Sequence, residues 1–220
     1  MEKYPSIKTV YLRDPENKYR TLLEGQWALP EFEYLADNRW VFTEKVDGTN
    51  IRVIWETAGP PVLGHLSFKG RTDNAQFPTF LYDRLGELFS VDRFWELYSD
   101  VPMTLYGEGY GARIQKGGGN YIPDGVDFIL FDVKVGDCWL ERHNVEDIAD
   151  ELGIRVVPTI NQGALGSAVE IARQGFLSQV AANKEFVAEG LVMRPKVELA
   201  DRRGHRIIAK IKHKDFGGQE

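Results

Sequence analysis

Segments with the pattern of β-strands follow one another along this chain in runs, without helical segments between them. Three such segments lie close together, at residues 40–44, 50–56 and 65–70, and each is rich in apolar and β-branched residues. Strands that alternate with helices predict a parallel sheet, whereas strands grouped in runs predict antiparallel pairing. The sequence therefore predicts an α+β fold with mainly antiparallel sheets.

The rest of the chain agrees with this grouping. Helical periodicity marks residues 78–89 and 91–98, and strand patterns return at 103–107 and 126–135. A helix is predicted at 143–153, capped by Asn144 and ended by Gly153, and another at 164–184, interrupted near Gly175. The last two predicted strands are residues 185–195 and 205–215.

The composition is that of a globular protein, with 43% hydrophobic and 12% aromatic residues among 220. This length predicts a single domain spanning residues 1–220. Cys138 is the sole cysteine and the four histidines are scattered, so we expect neither a disulfide nor a zinc site. No apolar run would span a membrane, and the polar N-terminus does not resemble a signal peptide. We expect a cytoplasmic protein with no membrane partner.

Positive charge is concentrated near the C-terminus, although the whole chain has a net charge of −6. Residues 194–214 contain eight Lys and Arg against two acidic residues, Glu198 and Asp201. This asymmetry favours an anionic ligand near the segment, and a solvated basic face is the alternative.

The stretch FTEKVDGTNIRV, residues 42–53, places Lys45 at the mouth of a predicted turn. Asp-Gly between two strand patterns is typical of a β-hairpin, so residues 40–44 and 50–56 are predicted to pair. A solvated hairpin lysine is the simplest interpretation of Lys45 alone. Whether Lys45 is reactive depends on the groups that the rest of the chain brings near it.

A glycine-rich stretch, GEGYGARIQKGGGNYIPDG at residues 107–125, is predicted to form a long loop. Loops of this length in a compact domain are usually functional. The stretch lacks the spacing of a dinucleotide fingerprint, and its KGGGN is not a P-loop because no Lys-Ser or Lys-Thr follows. We therefore predict a functional loop of another kind.

Three further stretches hold residues that a reactive lysine could use. LYGEGYG places Glu108 at the end of a predicted strand, and VAEGLVMRP places Glu189 before a glycine in another. IAKIK places Lys210 and Lys212 two residues apart, and hence on one face of a strand. Each feature alone has an ordinary structural interpretation, but with Lys45 they form an ordered set.

This ordered set resembles the motifs of the covalent nucleotidyltransferases, which comprise ATP-dependent DNA ligases, RNA ligases and mRNA capping enzymes. The motifs K-x-D-G, G-E, F-D, E-G-x-V and K-x-K begin here at Lys45, Gly107, Phe131, Glu189 and Lys210. The similarity is greatest to the bacteriophage-type RNA ligase 2 family, whose E-K-x-x-G-T-N matches residues 44–50 and whose I-Q-K matches residues 114–116. It covers residues 40–214.

The resemblance implies a nucleotidyltransferase (ATP-grasp-like) fold, with two mainly antiparallel sheets flanked by helices and the nucleotide between them. It implies an ATP-dependent RNA ligase that uses Mg²⁺ or Mn²⁺ and joins the 3′-OH and 5′-phosphate of RNA or of nicked or broken nucleic-acid ends, as in RNA repair. A lysine would form lysyl-AMP, AMP would pass to the 5′-phosphate, and the 3′-OH would displace it.

The resemblance also implies roles for single residues. Lys45 would be the nucleophile, with Lys210 and Lys212 at the α-phosphate. An ordinary lysine amine has a pKa near ~10.4, and neighbouring cations lower such a pKa by disfavouring the charged form. Glu108 would bind the ribose hydroxyls and Phe131 would stack on adenine, although Phe131 alone could also be a core residue.

The remaining implied residues contact the nucleotide, the metal or the nucleic acid. Glu44 belongs to the nucleotide-binding set, and Glu189 and Asp47 would hold the metal. The implied strand-binding residues are Asn50, Arg71, Arg113 and Lys116, and the basic segment would place Arg202, Arg203 and Arg206 on the nucleic-acid backbone.

Three departures from the pattern affect these expectations. Arg194 replaces a lysine after the E-G-x-V strand and keeps the charge. Asp47 stands where RNA ligase 2 relatives commonly have histidine. The sequence ends at Glu220, soon after the K-x-K strand, so we expect no OB-fold or other C-terminal domain within it. Strand capture is then expected to limit sealing, and an accessory protein or end-processing enzyme could assist it.

Two alternatives remain open. The first is a DNA ligase or a capping-type guanylyltransferase on the same fold, and labelling with ATP or GTP would separate these enzymes by their nucleotide. The second is a nucleic-acid-binding module without catalysis. Intact Lys45, Glu108 and Glu189 argue against that module.

Overall fold

The structure is a computed structural model that describes residues 3–57 and 64–217. Its residues form two compact units. The first unit combines the described residues up to Tyr4 with Asp47–Val157. The second unit combines Pro5–Val46 with the described residues from Pro158 onward. Lys45 therefore belongs to the second unit, and Asp47 begins the main segment of the first.

The order of the elements confirms the predicted grouping of strands and helices. The strands are β1 (Lys8–Thr9), β2 (Tyr11–Arg13), β3 (Leu22–Trp27), β4 (Trp40–Glu44), β5 (Thr49–Thr57), β6 (Gly64–Gly70), β7 (Met103–Gly111), β8 (Val126–Val135), β9 (Cys138–Trp139), β10 (Arg155–Val156), β11 (Thr159–Gly163), β12 (Gly190–Pro195) and β13 (Ala209–Lys212). The helices are α1 (Pro30–Tyr34), α2 (Thr79–Leu88), α3 (Val91–Tyr98), α4 (Gly118–Tyr121), α5 (Arg142–Leu152) and α6 (Leu165–Gln174), followed by a 3-10 helix at His213–Phe216.

The first unit is built on a sheet with the strand order β10-β8-β7-β5-β6, and β9 pairs with β8. All of its ladders are antiparallel except the β10–β8 pair. One face of this sheet packs against α2, α3 and α5. The core on that face includes Ile51, Val53, Trp55, Leu81, Leu85, Phe94, Leu105, Phe128, Leu130, Val133 and Val145.

The second unit is built on a sheet with the strand order β1-β13-β12-β4-β11. The β1–β13 pair is parallel and the other ladders are antiparallel, while β2 and β3 form a separate antiparallel pair. The apolar face of helix α6 packs against β12 and β13. The core of the second unit includes Phe32, Trp40, Phe42, Leu165, Val169, Leu191, Met193, Ala209 and Ile211. The predicted α+β class with antiparallel sheets and flanking helices is thus confirmed.

A β-bulge interrupts the ladder between β7 and β8. Gly107 pairs with Leu130 and Tyr106 pairs with Asp132, so the register of the ladder skips Phe131. Because a bulge adds one residue to the strand, it shifts the alternation of faces by one position. Phe131 and Asp132 therefore both point away from the helical core, although they are neighbours in sequence.

The predicted hairpin at Asp47-Gly48 is wrong. Strand β4 pairs with β11 and β12 in the second unit, whereas β5 pairs with β6 and β7 in the first. The Asp-Gly pair instead lies where the chain passes from one sheet to the other. The local sequence favours a turn but cannot specify which strands pair across it.

Several predicted boundaries also change. Strand β7 continues to Gly111, and α4 then lies within the predicted loop 107–125. Helix α5 begins at Arg142 after Glu141, not after Asn144, while Gly153 ends it in the left-handed conformation with φ +67°. Helix α6 ends at Gln174, and residues 175–184, the rest of the predicted helix, are not helical.

No helix among residues 3–57 and 64–217 combines the length and the apolar character that crossing a membrane requires.

Candidate active site

Three strand ends in the second unit bring Lys45, Glu189 and Lys212 together. Lys45 follows β4, Glu189 precedes β12, and Lys212 ends β13. Because β12 lies between β4 and β13 and runs antiparallel to both, its beginning meets the ends of its two neighbours. Lys45 Nζ lies 2.5 Å from Glu189 Oε2, and Lys212 Nζ lies 2.5 Å from Glu189 Oε1. One carboxylate therefore holds two of the predicted site lysines.

The backbone around this carboxylate is held on both sides. Lys45 N donates to Gly190 O at 2.9 Å, and His213 N donates to Glu189 O at 2.9 Å. Gly190 has φ +155°, and a Cβ there would lie 2.1 Å from Ile211 O. Only glycine allows this approach, which explains the glycine of the E-G-x-V motif.

Lys210 and Lys212 share one face of β13, as their spacing predicts. Ala209 and Ile211 are buried in the core of the second unit, and the two lysines on the opposite face are partly exposed. The K-x-K motif is therefore a short amphipathic strand that directs both amines away from the core.

The charges around Lys210 disfavour its protonated form. Burial is the largest cause that lowers the pKa of Lys210, and the positive charges of Lys45, Lys212 and Arg13 lower it further. Glu189 acts in the opposite direction and raises it. The four cations therefore lie close enough to interact, which is the environment that a phosphate group would neutralise.

Arg13 is a candidate that the sequence analysis missed. Its Nη2 lies 2.6 Å from Asp215 Oδ1, and its Nη1 donates to Tyr19 O at 3.2 Å. Asp215 Oδ2 also accepts from Lys212 N at 3.0 Å. Asp215 thus ties Arg13 to the end of the K-x-K strand. An arginine in the polar segment 11–20 has no motif that could have identified it.

Glu44 is buried beside the nucleophile candidate, with 1% of the residue exposed. Its carboxylate accepts hydrogen bonds from the hydroxyl of Ser178 and, at 2.8 Å, from Gln179 N. Ser178 Oγ also accepts from Ala181 N at 3.0 Å. Glu44 therefore anchors the segment that follows α6, and its predicted role towards the nucleotide stays a prediction.

In the first unit, Asn50, Glu108 and Phe131 lie on the sheet face opposite the helices. Ile51 and Leu130, their neighbours in sequence, belong to the helical core. Asn50 pairs directly with Glu108 across β5 and β7, so the two side chains are adjacent. Glu108 lies within β7, which continues to Gly111, so the prediction that Glu108 ends a strand is wrong. The sheet thus brings three of the predicted residues onto one face.

The ring of Phe131 is half-buried and lies outside the apolar core of the first unit. It meets the ring of Tyr4 edge-on, with a centroid distance of 5.0 Å. Tyr4 also packs against Tyr106 and Trp139, and its hydroxyl donates to Asp132 Oδ2 at 2.7 Å. The bulge and this aromatic group fix the ring, which argues against Phe131 as a simple core residue.

Asn50 carries an unsatisfied acceptor on the same face. Its Oδ1 is buried and accepts no hydrogen bond from any residue in the described ranges. A buried acceptor without a donor costs roughly 1–3 kcal/mol. The position therefore suits a donor group from a ligand.

Arg71 is exposed just after β6, and a buried arginine fixes the segment that carries it. Arg52, 1% exposed, donates from Nε to Gly70 O at 2.9 Å and from Nη2 to Asp73 Oδ1 at 2.8 Å. These two bonds hold the backbone on either side of Arg71. Arg52 could not be identified from the sequence, because an arginine inside a strand pattern gives no sign of whether it is buried.

Arg113 and Lys116 lie on the segment between β7 and β8. Both are exposed, and the Arg113 guanidinium lies over the ring of Phe80 at 4.7 Å from its centroid. Between them, Gln115 Nε2 donates to Gly48 O at 2.9 Å. The segment therefore presents two cations and also contacts the turn that follows Lys45.

Of the four arginines in the basic segment, residues 194–214, two are buried and two are exposed. Arg206 is bound to Glu198 through Nε at 2.8 Å and Nη2 at 2.6 Å, and Arg194 Nη1 lies 3.3 Å from the same carboxylate. Both guanidinium groups are buried, so the prediction that Arg206 contacts nucleic acid is wrong. Arg202 and Arg203 are exposed at the tip of the hairpin that these pairs support.

The family of this chain follows from comparison with known proteins. The model of the family described as RNA ligase matches residues 38–212, which include all five of the ordered motifs. The chain belongs to the RNA ligase family.

Solved structures agree with this family. The chain resembles an apo mutant of Naegleria gruberi RNA ligase with a TM-score of 0.64 and 18% identity, over 99% of this chain and 59% of that one. The complex of the same enzyme with PPi gives a TM-score of 0.63 and 18% identity, over 96% and 58%. A mutant with ATP and Mn gives a TM-score of 0.64 and 18% identity, over 96% of this chain and 57% of that one. These matches show a shared fold, and the chain spans less than two thirds of the Naegleria chains.

Glu189 and Asp47 are the predicted metal ligands of this chain. Within residues 3–57 and 64–217, no group of three or more His, Cys, Asp or Glu side chains could hold a metal by itself. Glu189 offers one carboxylate, and Mg²⁺ or Mn²⁺ commonly binds one or two carboxylates together with phosphate oxygens and water. One carboxylate such as that of Glu189 is compatible with this mode of binding, and Glu189 and Asp47 as metal ligands both stay predictions.

Proposed function

We propose that this chain is an ATP-dependent RNA ligase that joins 3′-OH and 5′-phosphate ends through a lysyl-AMP on Lys45. The observation that carries the proposal is the pairing of Lys45 and Lys212 with Glu189, with Lys210 beside them, in a member of the RNA ligase family. The Naegleria gruberi RNA ligase is solved with ATP and Mn, which supports ATP and a divalent cation as the cofactors.

In the first step, Lys45 Nζ attacks the α-phosphorus of ATP. A nitrogen–phosphorus bond forms, and the bond from that phosphorus to the bridging oxygen breaks and releases pyrophosphate. The Lys45 ammonium must first lose a proton, and Glu189 Oε2 at 2.5 Å is within reach to accept it. Lys210 and Lys212 bind the α-phosphate and stabilise the negative charge that develops. Mg²⁺ or Mn²⁺, when bound, supplies further neutralisation of the phosphates.

In the following steps, AMP passes from Lys45 to a 5′-phosphate, and a 3′-OH then attacks that phosphate and displaces AMP. The exposed cations Arg71, Arg113 and Lys116 would bind the phosphates of the strand, because such contacts position a nucleic acid without reading its sequence. The unsatisfied Oδ1 of Asn50 would accept a hydrogen bond from a hydroxyl of the bound strand or nucleotide.

Glu108 and Phe131 are proposed to bind the nucleoside of ATP. Glu108 would accept hydrogen bonds from the ribose hydroxyls and Phe131 would stack on adenine. We expect Phe131→Ala to raise the half-saturating ATP concentration roughly 5- to 150-fold, which corresponds to ~1–3 kcal/mol of base stacking. Phe131→Leu should retain much of the ATP affinity, because it keeps an apolar surface. Lysyl-AMP formation against ATP concentration measures both effects.

Tyr82→Ala is the control for Phe131→Ala, since it removes an exposed ring of the same unit that packs on Phe68 and Phe77. It should leave the ATP dependence unchanged. Equal ATP affinity in Phe131→Ala and the parent protein would contradict the stacking role.

The exposed arginines at the hairpin tip are proposed to bind the nucleic-acid backbone. We expect Arg202→Ala combined with Arg203→Ala to spare lysyl-AMP formation but to weaken RNA binding. The logarithmic slope of affinity against salt should become shallower by about 0.7–0.9 per lost phosphate contact. Arg173→Ala is the control, because that exposed arginine is already paired with Glu24. An unchanged salt slope in the double variant would show that these arginines are only solvated.

Covalent labelling tests the proposed function directly. The protein is incubated with a divalent cation and either labelled ATP or labelled GTP, and the intact mass is measured before sealing of RNA and DNA ends is assayed. We expect an AMP adduct and sealed RNA. A GMP adduct would indicate a capping-type enzyme, and sealing restricted to DNA a DNA ligase. No adduct under any condition would indicate a binding module.

A further inference from the structure

The segment between β7 and β8 contacts the turn that follows Lys45 at two consecutive residues, Asp47 and Gly48. Gln115 Nε2 donates to Gly48 O at 2.9 Å. Asp47 N donates to the hydroxyl of Tyr121 at 3.2 Å. These residues lie two and three positions after Lys45, so the two hydrogen bonds constrain the backbone that follows the proposed nucleophile.

The segment that provides these contacts is itself firmly packed. Tyr121 is 2% exposed, and its ring meets that of Tyr110 edge-on with a centroid distance of 5.9 Å. A Cβ on Gly118 would lie 1.9 Å from Gly111 O, so α4 rests directly on the backbone at the end of β7. Ala112 N closes the segment by donating to Gly125 O at 2.9 Å. Gly118 therefore allows this close packing, because a side chain there would meet the Gly111 backbone.

The turn is also pressed against β7. A Cβ on Gly48 would lie 2.3 Å from Gly109 O and 2.8 Å from Glu108 Cγ. Gly48 is therefore required because there is no room for a side chain. The turn is held by β7 on one side and by Gln115 and Tyr121 through hydrogen bonds.

We propose that Gln115 and Tyr121 are positioning residues for the adenylylation of Lys45. This inference rests on the proposed function. The two side chains fix the Asp47-Gly48 backbone, and a fixed backbone limits the positions that the amine can take when it attacks the α-phosphate. A displacement of about 1 Å in a reacting group can cost about 100-fold in rate. Loss of either hydrogen bond should therefore slow the attack more than it weakens ATP binding.

The test uses Tyr121→Phe, which removes only the hydroxyl, and Gln115→Met, which keeps the length of the side chain but removes the donor. The rate of lysyl-AMP formation is measured at saturating ATP, together with the half-saturating ATP concentration. We expect each variant to lower the saturating rate about 10-fold with less than about 2-fold change in half-saturation, since a loosened turn is a fraction of a 1 Å displacement. Gln115→Lys, which restores a donor, should recover most of the rate.

Two matched controls and a second readout separate positioning from folding. Tyr110→Phe removes a neighbouring buried hydroxyl that accepts from Arg155 at 3.0 Å, and Gln174→Met removes a donor that binds Glu170 on α6. Both should keep the parent rate. Sealing of a pre-adenylylated strand does not require attack by Lys45, so it should be unchanged in Tyr121→Phe and Gln115→Met.

The outcomes distinguish this inference from the proposed function. If the parent protein forms lysyl-AMP and both variants form it at the parent rate, the positioning role is overturned and the ligase proposal stands. If the variants lose labelling and pre-adenylylated sealing together with thermal stability, their role is structural and the inference is overturned. If the parent protein forms no lysyl-AMP, the proposed function fails and the inference fails with it.

Discussion

Lys45→Ala is expected to abolish covalent labelling by ATP and to leave the fold intact. The amine that would form the bond to AMP is lost, whereas the side chain is 22% exposed and contributes little to the core. Glu189 would still be paired with Lys212, so no buried carboxylate is left without a cation. Intact mass after incubation with ATP measures the adduct, and thermal unfolding measures the stability.

Lys45→Arg and Lys184→Ala complete this experiment. Arginine keeps a positive charge for Glu189, but its guanidinium stays protonated and cannot attack phosphorus. Lys45→Arg should therefore also fail to label. Lys184 donates to Ala181 O in the same unit, and Lys184→Ala should label normally. An AMP adduct on Lys45→Ala would show that another residue is the nucleophile.

Lys210→Ala and Lys212→Ala are each expected to reduce the rate of lysyl-AMP formation by roughly 100- to 1,000-fold. That is the typical effect of removing one preorganised group that stabilises developing negative charge. Lys212 is held against Glu189, and Lys210 is close enough to Lys45 for their charges to interact. Both amines are therefore placed to act on the phosphate that Lys45 attacks. Single-turnover labelling with ATP measures the rate.

Lys214→Ala is the matched control for these two variants. Lys214 is an exposed lysine two residues beyond Lys212, so its removal changes the charge of the basic segment by the same amount. It should leave the rate of lysyl-AMP formation close to that of the parent protein. An equal loss in Lys210→Ala, Lys212→Ala and Lys214→Ala would mean that overall charge, and not the position of the amines, determines the rate.

The short amphipathic strands could be predicted from the sequence because their information is local. In β13 the alternation of Ala209 and Ile211 with two lysines is sufficient to place both amines on one face. The prediction needs only the period of a strand and no knowledge of its partners. The same reasoning located the boundaries of β4 and of α3, where apolar periodicity is strong.

The predictions that the structure contradicts depend on which residues meet in the folded chain and not on the local sequence pattern. Asp47-Gly48 has the signature of a hairpin, but the pairing of β4 and β5 with other strands depends on residues far along the chain. Arg206 and Arg202 belong to one basic run, yet one is buried against Glu198 and the other is exposed. Residue type and spacing cannot separate them, because the difference arises when the hairpin folds.

The bulge at Phe131 is another feature that residue patterns did not predict. Residues 126–135, VDFILFDVKV, have the pattern of one continuous buried strand. A bulge within such an apolar run does not change that pattern. Only the pairing of β8 with β7 shows that the register of the ladder skips Phe131 and that Asp132 shares its face. The resemblance to a family pointed to Phe131, but the reason for its orientation lies in the ladder.

Phe131 is thus one residue more than the sheet requires. If it were deleted, Leu130 and Asp132 would become neighbours, and they already pair with the consecutive residues Gly107 and Tyr106. The shortened strand would keep every remaining side chain on its present face and would form an uninterrupted ladder. Deletion of a residue from the middle of a sheet usually inverts all that follows it, but here it would make the sheet more regular. The sheet does not require the Phe131 ring, so the ring contributes to the sheet face on which it lies and not to the pairing of the strands.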